Sequence, residues 1–280
     1  MRLESRRRAR GHQLRHRRPV VPVTSVRVCV AEPYRDCRAQ IEELPERLER
    51  EGVTLHSGRN LIKRLGLAGP DGEPIEVVVK AFAVPARVRG FVYENLRRSK
   101  ARRCMINARR LMELGIGTPE PVACIEHESY RCLRRSYYVC RYWPNDRDLT
   151  ALLYHGVPPG ADAPALLEAL AQFTVAQHDR GVLHLDYNPG NILVRSEGDG
   201  FEFALVDLNR LRFRHLDIGD RARGLAPLTT QNDCLRIIGR RYAGLCDADP
   251  ERFCARFEAA QRRFAARRRR MKKALAWLRR

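Results

Sequence analysis

The sequence predicts an α+β fold of two segregated lobes, a small one built on antiparallel strands and a larger, mainly helical one. Three observations carry this. Strand-like patterns crowd the first half, long amphipathic patterns crowd the second, and the change falls near residues 142–148. Strands first and helices later is the order expected of layers that segregate rather than alternate.

The elements follow in order. Residues 1–19 read as a basic arm, Arg-rich and without the apolar core that a signal peptide needs. Val20 to Ala31 is rich in valine and reads as a strand that Pro33 stops. Ile41, Leu44 and Leu48 among charges place a short amphipathic helix over 36–51. Val53-Thr54-Leu55, Leu61 to Leu65 and Ile75 to Phe82 follow, separated by Ser57-Gly58-Arg59-Asn60 and Gly69-Pro70-Asp71-Gly72, and read as three sequential antiparallel strands. A helix is expected over about Val92 to Leu114, ended by Gly115-Ile116-Gly117-Thr118-Pro119. Strands are expected near Val122–His127 and Ser136–Tyr142. Trp143-Pro144-Asn145-Asp146 reads as the connector between lobes, dividing an N-lobe of 20–143 from a C-lobe of 144–280. Helices then fall on Leu149–Tyr154 and Pro164–Arg180, the latter with Leu166, Leu167, Leu170, Phe173, Thr174 and Gln177 on one face.

Composition narrows the function classes. The chain has 280 residues and 44% hydrophobic content, enough for a sizeable core. A net charge of +20 implies an anionic partner: nucleic acid, anionic lipid or a phosphorylated glycan. The nine cysteines form no C-x-x-C pair and suggest neither a zinc site nor a nucleophile, so they read as reduced thiols. No apolar run is long enough to span a bilayer, and no internal repeat is evident.

The chemistry is concentrated after residue 180. His184-Leu185-Asp186-Tyr187-Asn188-Pro189-Gly190-Asn191 follows an amphipathic helix and opens a strand. An Asp followed five residues later by Asn is the catalytic-loop spacing of kinase-like phosphotransferases. In that reading Asp186 accepts the proton of an attacking hydroxyl, and the Asn191 amide oxygen is offered to Mg²⁺, a hard cation that takes oxygen ligands. One hairpin later, Phe203 to Val206 lead into Asp207, a second metal-holding carboxylate. Upstream, Lys80 on a Val-rich strand is positioned to reach the phosphates of ATP, and Ser57, Gly58, Arg59 and Asn60 are a candidate phosphate-covering loop with one glycine. Together these predict a bilobal protein-kinase-like fold using ATP and Mg²⁺.

Other residues are open between two readings. Tyr187 either lines an acceptor pocket or packs. Arg210 and Arg212 either bind an anionic acceptor or are solvated. Tyr142 and Trp143 either wall an adenine site or fill the core. His184 reads as an organiser of the backbone. Phe253, Phe257, Phe264, Met271, Leu275 and Leu278, interleaved with Arg and Lys, form an apolar stripe with a basic face that either packs on the large lobe or meets anionic lipid.

Ser99 to Arg103, Leu111 to Pro121 and Val206-Asp207-Leu208-Asn209-Arg210-Leu211-Arg212-Phe213 resemble the Kdo/WaaP-type lipopolysaccharide kinases over roughly residues 50–245. The resemblance implies transfer of the ATP γ-phosphate to a heptose or Kdo hydroxyl of a lipopolysaccharide core glycolipid, at the cytoplasmic face of the inner membrane. The basic stripe adds peripheral contact with anionic inner-membrane lipid as a candidate, and nucleic acid ranks last among the anionic partners. Two positions depart from the wider kinase pattern. Leu185 stands where the catalytic loop usually has Arg, and the helix near Met105-Ile106-Asn107 carries no Glu to pair with Lys80, leaving Glu94 as the candidate acid. A protein kinase acting on Ser, Thr or Tyr is the first alternative. A pseudokinase-like module binding anionic surfaces or nucleic acid is the second.

Overall fold

The computed structural model describes residues 23–83, 98–129, 132–147, 149–155 and 162–277. The basic arm of residues 1–19, Glu94 and the first part of the helix expected from Val92 fall outside the described residues, as does Leu278.

The small lobe is one antiparallel sheet of six strands in the order β1-β5-β6-β4-β3-β2. They are β1 (Ser25–Val30), β2 (Val53–Ser57), β3 (Leu61–Ala68), β4 (Pro74–Phe82), β5 (Pro121–Ser129) and β6 (Cys132–Arg141). The consecutive strands β2, β3 and β4 pair as the turn signals predict. The sequence carries no signal for β1 joining the far edge, where Cys29 sits opposite Cys124. Position in the sheet sets burial. Edge strand β2 is exposed throughout, whereas β5, flanked on both sides, is buried at nearly every position. Pro33 does more than stop β1: it opens a 3-10 turn over Glu32–Cys37 that leads into α1 (Arg38–Arg50). Ile41, Leu44 and Leu48 of α1 are buried against the sheet.

Helix α2 (Lys100–Glu113) crosses the sheet at β5 and β6. Its apolar positions Ala101, Cys104, Met105, Ala108 and Leu111 recur at helical spacing and are all buried. The Ser99 side chain caps its start, accepting from the Arg102 N–H at 3.0 Å. Its end is a Schellman motif. The Ile116 N–H reaches the Leu111 carbonyl and the Gly115 N–H that of Met112, each at 2.9 Å, with Gly115 at φ +63°. The chain then passes directly over the large lobe. A Cβ on Gly117 would lie 2.0 Å from the Phe203 carbonyl oxygen, so only glycine fits this crossing. Two bonds fasten it: the Leu205 N–H donates to Gly117 O at 2.8 Å, and Thr118 Oγ1 donates to Leu205 O at 2.9 Å.

The large lobe is built on α3 (Leu149–His155), α4 (Ala163–Asp179), α5 (Ile218–Leu225), α6 (Asn232–Leu245) and α7 (Pro250–Trp277). Small strand pairs sit at its upper edge. β7 (Val182–His184) pairs with β10 (Leu211–Phe213), and β8 (Ile192–Glu197) forms a hairpin with β9 (Gly200–Leu205). Leu166, Leu167, Leu170, Thr174 and Gln177 of α4 are buried as the spacing predicts. His178, also buried, shares a 2.7 Å hydrogen bond with the Tyr242 hydroxyl of α6, and Tyr242 stacks on Phe253 of α7. Tyr187 packs: it is 1% exposed, with its hydroxyl 2.8 Å from Thr174 Oγ1. The apolar stripe of α7 is split, since Phe253 and Phe257 are buried while Met271 is 55% exposed.

The Gly117 crossing gives a stability test. Gly117→Ala should lower the free energy of unfolding by about 1–3 kcal/mol, the usual cost of overpacking, read from urea midpoints. Gly66→Ala, where an added Cβ meets nothing within 4 Å, should stay within about 0.5 kcal/mol of the parent. Equal effects at the two positions would show that the crossing is not tight.

Candidate active site

Asp207 lies two residues beyond the apolar strand β9, in which Phe203, Ala204 and Leu205 are buried. Its backbone is left-handed, φ 57° and ψ 45°, a conformation that Asp tolerates better than most residues. This turns the carboxylate out of the strand line and starts a single 3-10 turn over Leu208–Arg210. Asp207 Oδ1 lies 2.8 Å from Lys80 Nζ on β4 and accepts a hydrogen bond from Asn209 Nδ2. Both partners of the ion pair are largely buried, at 13% and 25% side-chain exposure. Burial pushes the Asp207 carboxyl up, but the Lys80 ammonium, helped by Asn209, outweighs it and holds the group below the ordinary carboxylate range.

His184 organises the two loops. The Asp186 N–H donates to His184 Nδ1 at 3.1 Å. That nitrogen must therefore be the acceptor, which leaves the Nε2 hydrogen to donate to the Val206 carbonyl at 3.1 Å. One buried imidazole thus joins the residue before Asp207 to Asp186. Burial pushes its pKa down, which keeps it in the neutral form that this pattern needs. Asn191 Nδ2 donates to the Asp186 carbonyl at 2.8 Å. With its nitrogen committed, the amide leaves Oδ1 as the atom available to a cation. Asp186 itself is 41% exposed at its side chain, and Arg210 Nη1 lies 3.6 Å from its Oδ2.

Two cavities meet at Asp207. The inner one, about 420 Å³, lies between the sheet and β8–β9. Its walls are mainly apolar, including Leu55, Ile62, Val78, Leu193 and Leu205, with Lys80, Asn191 and Asp207 at one end and Tyr142, Trp143 and Asn145 of the connector along it. The outer one, about 540 Å³, is lined by Asp186, Asp207 and Asn209 together with Arg59, Lys100, Arg103, Arg210 and Arg212. A mainly apolar slot that also holds a lysine and a carboxylate suits a nucleotide. A basic cleft opening on an exposed carboxylate suits an anionic acceptor.

The structure brings Lys80, Asp186, Asn191 and Asp207 to one place, and it separates the predicted phosphate loop. Asn60 Oδ1 accepts from the Ala83 N–H at 3.1 Å, holding β3 to the end of β4. Arg59 and Asn60 line the outer cavity, while Ser57 and Gly58 line neither. His56, one residue before that loop, lines the inner cavity in their place. A turn with a single glycine keeps its backbone paired, Gly58 N–H to Asn60 O at 3.2 Å, up to its tip. Glu94 lies outside the described residues; among those described, Asp207 is the acid paired with Lys80. Sequence reasoning missed Asn107, whose Nδ2 donates to the Leu208 carbonyl at 2.6 Å, and it missed Lys100 and Arg103 of α2. A helix position searched only for Glu does not show an amide that reaches a backbone carbonyl instead. Asn191 and Asp207 are hard oxygen donors with room for phosphate oxygens beside them, which fits Mg²⁺ held by few protein ligands. No group of three or more His, Cys, Asp or Glu that could hold a metal gathers among the described residues.

The profile of the lipopolysaccharide kinase (Kdo/WaaP) family matches residues 88–276. A solved structure of WaaP in complex with acyl carrier protein superposes with a TM-score of 0.56 at 22% identity, covering 86% of this chain and 98% of that one. The kinase domain of PknI from Mycobacterium tuberculosis aligns at 14% identity and a TM-score of 0.42, over 74% of this chain and 93% of that one. Among curated proteins none matches.

The histidines set a pH window. His178 is pushed down to about 3 by burial and the nearby Arg221, and His127 and His184 are shifted in the same direction. Their unfolded forms bind a proton near pH 6.5, so between that value and the lower folded pKa the unfolded chain holds more protons. Stability is therefore full above about pH 6.5 and falls as pH drops. The Asp207 contribution is lost only further into acid. Urea midpoints should decline between pH 7.5 and 5.0, with His178 alone contributing about 1–2 kcal/mol. A flat profile over that range would contradict neutral buried imidazoles.

Proposed function

The chain belongs to the lipopolysaccharide kinase (Kdo/WaaP) family, and on that premise we propose that it transfers the γ-phosphate of ATP, with Mg²⁺, to a heptose or Kdo hydroxyl of a lipopolysaccharide core glycolipid. The observation that carries this reading is the meeting of an apolar slot and a basic cleft at Asp207, with Lys80 on one side and Asp186 on the other.

Each residue has a part in that reaction. The adenine base occupies the slot between β2–β4 and β8–β9, bordered by Tyr142 and Trp143 of the connector. Lys80 neutralises the inner phosphates. Asn191 and Asp207 would hold Mg²⁺, which would neutralise phosphate charge during transfer. Asp186 orients the acceptor hydroxyl and takes its proton. The backbone bonds from Asn191 and to His184 keep the carboxylate aimed at the outer cleft. Leu185 leaves no arginine in the catalytic loop to read a phosphorylated activation segment, which favours constitutive action on a small acceptor over a regulated protein kinase.

A location at the cytoplasmic face of the inner membrane goes with this reading. No described helix is long and apolar enough to cross a membrane. The exposed run Arg267 to Arg270 on α7 suits peripheral contact with anionic lipid. Acyl carrier protein, present in the WaaP complex, is a further candidate partner.

Purified protein given ATP, Mg²⁺ and core glycolipid lacking the phosphate should incorporate label. Asp186→Asn should lower kcat by about 10²–10⁴ with little change in the KM for ATP, the range for loss of a general base. Lys80→Met should instead raise the KM for ATP. Transfer by Asp186→Asn at the parent rate would remove this residue from the mechanism.

A further inference from the structure

The outer cleft holds more positive charge than its own carboxylates balance. Asp207 is engaged by Lys80 and Asp186 by Arg210. Arg59, Lys100, Arg103 and Arg212 line the same cavity without an ion-pair partner among the described residues. Elsewhere some arginines are neutralised: Arg64 meets Glu76, Arg135 meets Glu49, Arg147 meets Asp162 and Arg223 meets Asp220.

Solvation explains exposed Arg59 and Arg212 taken alone, but not the α2 pair. Lys100 and Arg103 are only partly exposed. Arg103 Nε is shut off from water and has no hydrogen-bond partner among the described residues, which costs free energy unless something compensates it. Lys100 is pushed below its ordinary pKa by burial and then by Arg59, with Arg103 and Lys80 adding to the effect. The face of Phe82 lies 5.8 Å from the ammonium, and the Asp207 carboxylate acts in the opposite direction, favouring the charged form. Like charges held around a concavity by a capped, well-packed helix repel one another. An anion placed among them relieves that repulsion and can take hydrogen bonds from their cationic groups.

We infer that Lys100, Arg103 and Arg212, with Arg59 at the tip of the β2–β3 turn, form an anion subsite that grips a carboxylate or phosphate already carried by the acceptor near the hydroxyl that Asp186 addresses. This inference rests on the phosphotransfer reading and adds a specificity rule to it: the enzyme selects acceptors by a pre-existing negative group. The subsite is separate from the nucleotide slot, because none of its four residues lines the inner cavity.

The test uses the full chain and three acceptors: core glycolipid lacking only the phosphate that the enzyme transfers and otherwise intact, the same lipid stripped of its remaining phosphates, and the same lipid with its sugar carboxylates reduced to alcohols. Lys100→Met, Arg103→Met and Arg212→Met are compared with the parent after thermal melts show each to be folded. Exposed Arg212 provides the variant least prone to misfold. Each change should raise the KM for intact acceptor about tenfold, the scale of one charge-assisted hydrogen bond, with the KM for ATP within about twofold. On one of the two altered lipids the penalty should vanish, and that lipid identifies the anion as phosphate or carboxylate. Sedimentation of the Asp186→Asn protein with intact glycolipid, with and without the Arg212 change, reads binding apart from turnover. Loss of binding there supports the subsite even if the parent transfers no phosphate, a result that would count against the kinase reading alone. Equal penalties on all three lipids, or a change confined to the KM for ATP, would overturn the inference.

Discussion

The ion pair between Lys80 and Asp207 joins the two lobes at the point where both cavities open. Its strength comes from partial burial. A lysine and a carboxylate 2.8 Å apart in a half-dry cleft attract each other far more than an exposed pair. The desolvation that would otherwise neutralise Asp207 is outweighed, so the carboxylate stays charged. Everything around it serves to aim that charge. The left-handed turn at Asp207 points it away from β9, Asn209 braces one oxygen, and His184 anchors the preceding carbonyl. Because His184 also receives the Asp186 N–H, one imidazole sets the spacing between the group facing the nucleotide slot and the group facing the acceptor.

A second seam, neutral in charge, runs beside the first. Gly117, Thr118 and Leu205 fasten the loop after α2 to the hairpin of the large lobe, and Asn107 reaches from α2 to the Leu208 carbonyl. The side chain at Asn107 therefore ties the helix to the backbone of the metal-side loop and leaves the charge on Lys80 to Asp207. An amide suits that role, because it satisfies a buried carbonyl without bringing another charge into the cleft. The helix is free to present Lys100 and Arg103 to the outer cavity, about two turns and one turn before the residue that anchors it.

Much of the fold was legible because its causes are local. The strands β2 to β4 follow from valine-rich runs cut by Gly-Pro-Asp-Gly and Ser-Gly-Arg-Asn turns, and α4 follows from leucines at helical spacing. The pairing of β1 with β5 was not legible, because Val26 and Val28 specify a strand but not its neighbour. Tyr187 beside Asp186 left a pocket role open; its ring is buried, and Thr174 on α4 offers the hydroxyl a partner, which only the packing of that helix could show.

The sequence by itself determined the chemistry: the order and spacing of Lys80, Asp186, Asn191 and Asp207, and the family to which they point. Covalent distance along the chain sets that spacing, so a linear reading recovers it. The tertiary structure decided which charges face one another. It placed Arg59 in the outer cleft rather than over the phosphates, gave Asn107 a carbonyl to hold, and gathered Lys100, Arg103 and Arg212 around one space. Charges from distant segments act on each other only across folded distances, because Coulomb forces depend on separation in space and on the burial that folding creates.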